Sequence, residues 1–300
     1  SNQSKPVHMT VFDANHWGIA GKTGQLMSLG LDWFDYHLKG RKRARETPTA
    51  GNVITAAVLN TKKWLSFSTW PPEECIDKDY FLSSKSLMVR KPSHALESIA
   101  YTFDPHNPTP NVGGPSFDFH NSGRVEQTIF SERDDVLTFT SLPLHERIYV
   151  AGSVRAILHV VSSNPHTDIL LKLCAVYKSG KSYNMTENFT RLYPKDWDTE
   201  LNGKWEKCLV MNVGNCVCSF APGMKIRFHI SGGGHPLYMR NHGTNDDFHT
   251  ACELQPATHA VYFGSTKPSR LILPILPKEV ADQLAVPNPV SSTDHYHHRK

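Results

Sequence analysis

Apolar residues recur with two different periods along this chain, and the change of period divides it. Near the start, the apolar run 7–12 predicts a short strand, followed by Asp13-Ala-Asn-His16-Trp17-Gly18. A helix is predicted over 23–38, because its apolar residues fall on two adjoining stripes, Leu26/Leu29/Trp33/Tyr36 and Met27/Leu31/Phe34/Leu38. A helix that apolar on most sides is expected to lie buried between other elements. Gly40 stands where a helix stop is expected, and a further strand is predicted over 52–59.

From about Tyr101 the texture changes. Pro105, Pro108, Pro110, Gly113, Gly114 and Pro115 crowd one stretch, which reads as an extended, irregular connection. Beyond it the period drops to two. Val154, Ala156, Leu158 and Val160 share one face of a predicted strand, and Ile226, Phe228 and Ile230 alternate with Lys225, Arg227 and His229 as in a half-buried strand. Similar runs at 136–140, 169–177, 208–213 and 260–263 are separated by turn residues at the spacing of an antiparallel β-sandwich. The polar segment after Pro277 is expected to extend from the fold or dock loosely.

Composition narrows the function classes. Of 300 residues, 39% are hydrophobic and 20% charged, which excludes a disordered, collagenous or coiled-coil chain. The balance of 32 Lys+Arg against 28 Asp+Glu leaves +4, which argues against a nucleic-acid partner. The basic run Lys39-Gly-Arg41-Lys42-Arg43-Ala-Arg45 lacks interleaved aromatics and reads as a solvated loop rather than a binding patch. No apolar stretch approaches the ~20 residues of a membrane-spanning helix, and the longest, around 169–177, is interrupted by Lys172. Residues Ser1 to Lys5 lack a signal-peptide layout, and six cysteines are too few for a disulfide-built scaffold; neither observation assigns a compartment. The sequons at Asn2, Asn184 and Asn188 do not assign one either.

Seven motifs in order resemble one family. They are Trp33-Phe-Asp-Tyr-His-Leu-Lys-Gly40; Tyr101-Thr-Phe-Asp-Pro105 with Gly113-Gly114; Asp134-Asp-Val-Leu-Thr-Phe-Thr-Ser141; and Thr167-Asp168 with Leu171-Lys-Leu. The set is completed by Val176-Tyr-Lys-Ser-Gly-Lys-Ser-Tyr-Asn184, Pro222-Gly-Met-Lys-Ile-Arg-Phe228 and Pro268-Ser-Arg-Leu-Ile-Leu-Pro274. Over residues 7 to 277 the chain resembles the C-terminal half of the cocaine esterase / X-Pro dipeptidyl-peptidase / glutaryl-acylase (CocE/NonD-type) serine hydrolases. The resemblance implies a mainly β chain: a jelly-roll, galactose-binding-like sandwich preceded by the last strand and helix of an α/β-hydrolase domain. The implied division is 1–60 for the hydrolase edge, 61–100 for a connecting segment, 101–277 for the sandwich and 278–300 for a flexible tail.

In α/β-hydrolases the triad runs serine, acid, histidine along the chain, with the serine in a G-x-S-x-G turn. That pentapeptide is absent from this sequence. The resemblance therefore leaves His16 as the triad member this chain would carry, a general base just after a strand and before the helix. Asp13-Ala-Asn-His16-Trp17 replaces the usual Gly-Pro-Trp-like approach, and Asp13 is too near in sequence to be the orienting carboxylate. The plainer reading of His16 is a hydrogen-bonded histidine beside Trp17 at a strand end.

Other clusters admit two readings each. His235, His242 and His249 with Asp246 and Asp247 could bind a cation, but their glycine-rich surroundings favour a polar loop near the domain interface. Cys216 and Cys218 face one side of a strand as two small buried hydrophobes, or one bridges to Cys208 or Cys252. Trp64, Trp70, Trp197 and Trp205 close the ends of a sandwich core or line a ligand face. Asp168 is expected to hold an arginine or backbone N–H groups and to do no acid–base work, and the tail histidines 295, 297 and 298 would bind metal only adventitiously.

No cofactor or resident metal is expected. By resemblance the chain is one part of a serine hydrolase for ester, amide or X-Pro peptide substrates, acting through an acyl-enzyme. A separate polypeptide, or another portion of the same protein, would carry the α/β-hydrolase core, and a homo-oligomer stays open. The alternatives are a non-catalytic jelly-roll ligand-binding module and a structural or assembly subunit. The burial of 7–38 discriminates: an uncovered apolar patch around Leu26, Leu29, Trp33 and Phe34 belongs to the first reading, a helix packed on its own sandwich to the other two.

Overall fold

The computed structural model describes residues 7–41 and 51–289, which form two sheets with a small helical flank. The basic positions 42–45, the sequon at Asn2 and the histidines 295, 297 and 298 lie outside the described residues.

The larger sheet folds on itself as the sandwich. Its hydrogen-bonded path places Thr167–Val176 between Ser182–Leu192 and Lys225–Ser231, continues through Val136–Ser141, and reaches Ile76–Ser83, Arg270–Leu276, Ile148–Ser162 and Lys204–Phe220. The two longest strands, Ile148–Ser162 and Lys204–Phe220, pair antiparallel from Trp205 opposite Ser162 to Phe220 opposite Ile148, with a bulge at Asn212/Gly214. Period two places Val154, Ala156, Leu158 and Val160 in the core with Leu171, Leu173, Ile226, Phe228 and Phe139.

The smaller sheet orders His8–Val11, Val53–Ala57, Trp64–Phe67 and Ala285–Val286. His8–Val11 runs parallel to Val53–Ala57 and occupies one edge. Helix α1 (Thr23–Lys39) lies between those two strands in sequence and ends at Gly40, whose φ of 63° takes the left-handed conformation while the Arg41 N–H closes onto the Asp35 carbonyl. Ile54, Ala56, Leu65 and Phe67 pack on Tyr149, Ala151, Val217 and Leu276, so the small sheet is bound to the sandwich through one apolar face.

Four differences from the sequence expectation share one cause, polar or short segments covered by distant residues. The Pro/Gly-rich stretch is irregular but not extended into solvent: Thr109, Asn111, Ser122 and Gln127 are buried, and Gln127 and the Val112 carbonyl take the ammonium of Lys172 at 2.9 and 3.3 Å. His229 is consequently buried beside Phe130, so its strand is covered on both faces. Segment 61–100 contributes Trp64–Phe67 to the small sheet and Ile76–Ser83, Ser86–Met88 and Glu97–Phe103 to the sandwich's sheet. After Pro277 the chain forms α2 (Lys278–Gln283), which buries Ala281 against the small sheet, and then a strand pairing with Trp64 and Leu65, because Val280, Ala281 and Leu284 make one apolar face.

Candidate active site

Strand His8–Val11 delivers the chain to the turn 13–19, and that turn docks on a loop of the sandwich. Three successive residues make the contact. Asn15 donates from Nδ2 to Ser122 Oγ at 2.9 Å, and its Oδ1 accepts the Gly18 N–H at 2.6 Å. Trp17 donates from Nε1 to the Phe117 carbonyl at 2.9 Å. Between them, the His16 ring lies 4.4 Å from the Phe117 ring and 5.5 Å from that of Trp17. Asp13 reaches Arg124 at 3.7 Å, so it serves the same junction. His16 is exposed, and among the described residues neither of its ring nitrogens has a hydrogen-bond partner. Phe117 and Phe119 stand 72% and 63% exposed beside it, so the histidine sits at the foot of an open aromatic wall.

The receiving loop is built from short polar side chains and glycines. Asn121 Nδ2 donates to the Asn111 carbonyl and its Oδ1 accepts the Gly113 N–H, while Asn184 Nδ2 donates to the Gly123 carbonyl. Asn184 is therefore buried and engaged, which closes that sequon to glycosylation in the folded chain. Beneath Gly114 lies the side chain of Glu187, paired with Lys172 at 3.1 Å, with the two side chains only 2% and 4% exposed. Sequence reading missed this pair: Lys172 visibly interrupts the apolar run 169–177, but nothing local to it names Glu187, 15 positions on, as its partner.

The flank around the turn is apolar and bare. Met27, Phe34 and Leu38 are 64%, 56% and 76% exposed, and Leu31 completes the stripe. The other stripe, with Leu26, Leu29 and Trp33, is half-buried, and Trp33 packs its ring 5.0 Å from His8. The only buried residue of α1 is Asp35, paired with Lys39 and Arg41. The bare patch thus lies on the stripe through Met27 and Phe34, displaced from Leu26 and Leu29.

The remaining candidates are structural. Asp168 is buried and takes a bidentate pair of bonds from Arg191 at 2.8 Å each, plus Asn241 Nδ2 at 2.8 Å. Burial opposes the Arg191 charge, yet the Asp168 carboxylate outweighs it and holds the guanidinium more strongly protonated. His235 pairs its backbone with Thr109 and Asn111, and His242 is buried against Phe248. Among the described residues no group of three His, Cys, Asp or Glu side chains is placed to hold a metal ion. The sulfurs of Cys216 and Cys218 lie 3.8 Å apart as thiols, and hydrogen bonding between them and burial push the Cys218 thiol up. Trp197 is a core residue whose Nε1 donates to the Pro165 carbonyl, and Trp205 packs against the same core.

Residues 44–205 match the X-Pro dipeptidyl-peptidase C-terminal non-catalytic domain. The chain belongs to that family. His16 and α1 precede the matched residues. Cocaine esterase of Rhodococcus sp. (strain MB1 Bresler) is 26% identical over 264 residues, covering 81% of this chain and 45% of the esterase. The chain thus spans a little under half the length of the curated relative it matches. Its fold is shared with an aminopeptidase of a marine sediment Thaumarchaeota archaeon (TM-score 0.73, 19% identity, 87% of this chain and 45% of that one). It is shared also with an alpha-amino acid ester hydrolase (0.67, 22%, 81% and 44%) and a CocE/NonD family hydrolase of Staphylococcus aureus (0.56, 14%, 91% and 49%). The mainly β chain, a sandwich preceded by a strand and helix, is the C-terminal half of this hydrolase type.

Proposed function

We propose that this chain is the C-terminal part of a serine hydrolase acting on ester or amide bonds, and that His16 is its general base. The observation that carries the reading is the uncovered flank. Among the described residues strand His8–Val11 has no neighbour on its outer side, and the stripe Met27/Leu31/Phe34/Leu38 lies open beside it. A parallel strand and an apolar helix require the rest of an α/β sheet, and the α/β-hydrolase core carrying serine and acid is the partner of that shape. His16 sits at the junction with both ring nitrogens open, one for the nucleophile and one for an orienting carboxylate.

In the reaction, His16 takes the hydroxyl proton of the serine as its oxygen attacks the substrate carbonyl carbon. The tetrahedral intermediate then collapses, the bond to the leaving alcohol or amine breaks, and His16 returns the proton to it. Water repeats the cycle on the acyl-enzyme. Phe117 and Phe119 would wall the space above the histidine and favour apolar substrate groups. A fluorophosphonate probe applied to the native source tests this: the labelled serine should lie outside residues 1–300 and co-purify with this chain. A labelled serine within residues 1–300 overturns it.

A second reading rests on a different surface. A cleft of about 650 Å³ on the sandwich is lined by Tyr80, Leu87, Met88, Leu142, Leu144 and Ile148. A ligand-binding module would use such a cleft, and it predicts a functional chain with no hydrolase partner.

A further inference from the structure

We propose that Asn15 is a positioning residue for His16, and that the sandwich loop 113–123, through Ser122 and Gly123, holds the histidine in place. The inference rests on the reading of His16 as general base. It assigns a catalytic task to a domain whose family description is non-catalytic.

The geometry is that of a clamp. Residues 15 and 17 each bond the loop, at Ser122 and at the Phe117 carbonyl, about 100 positions away in sequence. His16 stands between these two anchors and rests on the Phe117 ring. Asn15 also ties its own turn, since its Oδ1 takes the Gly18 N–H while Nδ2 faces Ser122, which fixes the amide orientation. The loop is shaped to receive it. Gly123 has φ of 71°, and a Cβ there would stand 2.8 Å from the Asn15 Cβ, so any other residue would be strained and would push Asn15 out. Ser122 is buried, and Gly123 is bonded through its carbonyl by Asn184 from a sandwich strand. The path from the sandwich to the histidine is therefore continuous and made of short side chains with little freedom.

General-base catalysis needs the imidazole within hydrogen-bond reach of its proton, and a misplacement of about 1 Å can cost roughly a hundredfold. A loose turn at an exposed strand end would not supply that precision. The clamp supplies it from the sandwich side and would make the general base competent only when the two domains are docked.

Two measurements test this. In the 300-residue chain, NMR should show ring-proton contacts between His16 and Phe117. Asn15→Ala and Gly123→Ala should abolish them while leaving the core methyl signals of the sandwich unchanged; persistence in both variants overturns the inference. In the complete hydrolase, Asn15→Ala and Gly123→Ala should lower kcat per fluorophosphonate-titrated serine by about 10- to 100-fold with KM within about twofold. The acid limb of the kcat/KM profile should move as well, whereas loss of folded protein only scales that profile. Ser122→Ala, which removes the Oγ acceptor but keeps the Ser122 carbonyl that Asn15 Nδ2 also faces at 3.4 Å, should fall between these and the parent. Parental rates in Asn15→Ala and Gly123→Ala beside an inactive His16→Ala overturn the clamp and leave the general base standing. Parental rates in His16→Ala remove the general base and the clamp together. If Gly123→Ala does not fold, Asn15→Ala carries both tests.

Discussion

The sandwich and the strand–helix flank are both rich in hydrophobic residues and dispose of them oppositely. In the sandwich, Thr167–Val176 is buried along its whole length, and even its charged members are satisfied inside: Asp168 by Arg191, Lys172 by Glu187 and Gln127. In the flank no apolar side chain of α1 is buried, and four stand in solvent. Covering those four, already partly shielded, would contribute on the order of 3–6 kcal/mol. The sandwich buries its apolar residues within the described chain, whereas the flank leaves its own exposed, as the proposed hydrolase partner would require. Stability should therefore respond to changes in the first and activity to changes in the second.

The sharpest way to break this division is to exchange the two readouts. His16→Ala in the complete hydrolase is expected to cost at least about a thousandfold in turnover while leaving the melting temperature of the sandwich unchanged. A parental rate, or a destabilised sandwich, would blur the comparison. The converse change, Phe139→Ala, empties a fully buried ring position and should cost about 3–5 kcal/mol in chemical denaturation. The buried pair offers a second, finer cut. Lys172→Met leaves Glu187 uncompensated and is expected to cost a similar ~3–5 kcal/mol, most of it restored by adding Glu187→Leu. If the double variant is no better than the single, the carboxylate is satisfied by groups other than Lys172.

Acid should separate the regions as well. Burial, reinforced by the charges of Lys172 and Arg227, lowers the His229 pKa to about 3, and burial alone lowers that of His259 to about 4. Both histidines are thus neutral in the folded chain at pH values where the unfolded chain, near 6.5, binds protons. Their contribution is complete above about pH 6.5 and is lost as the pH falls toward the folded values, by about 1.4 kcal/mol per unit for each. Denaturation at a series of pH values should show that slope, and His229→Leu should reduce it; an unchanged slope would mean that His229 titrates normally. The smallest effect belongs to the flank. Leu38→Ser should alter sandwich stability by less than about 0.5 kcal/mol and yet weaken association with the hydrolase core.

How much of this was legible in the sequence depends on how local the signal is. Period two marked Val154, Ala156, Leu158 and Val160, and doubled apolar stripes marked α1, since both follow from backbone geometry over a few residues; the expected burial of that helix is not met among the described residues, where Asp35 alone of α1 is buried. That His16 follows a strand was legible from the apolar run 7–12, whereas its role as general base comes from the resemblance alone and stays a proposal. Its setting was not legible, because the contacts of Asn15 with Ser122 and of Trp17 with Phe117 join segments about a hundred residues apart. The same holds for the covered stretch 105–133 and for Glu187: burial of a polar residue is decided by a distant partner, and local pattern carries no trace of it. The docked segment after Pro277 did carry a signal, the spacing of Val280, Ala281 and Leu284, masked by polar neighbours.

Hydrogen exchange of the flank, measured in the isolated chain and again in the native, fluorophosphonate-reactive material, bears most directly on the claim that this flank completes another sheet. Amides of His8–Val11 and α1 should exchange quickly in the isolated chain and become protected by several orders of magnitude in the native material, with sandwich amides unchanged. Equal exchange of the flank in both samples would contradict that claim.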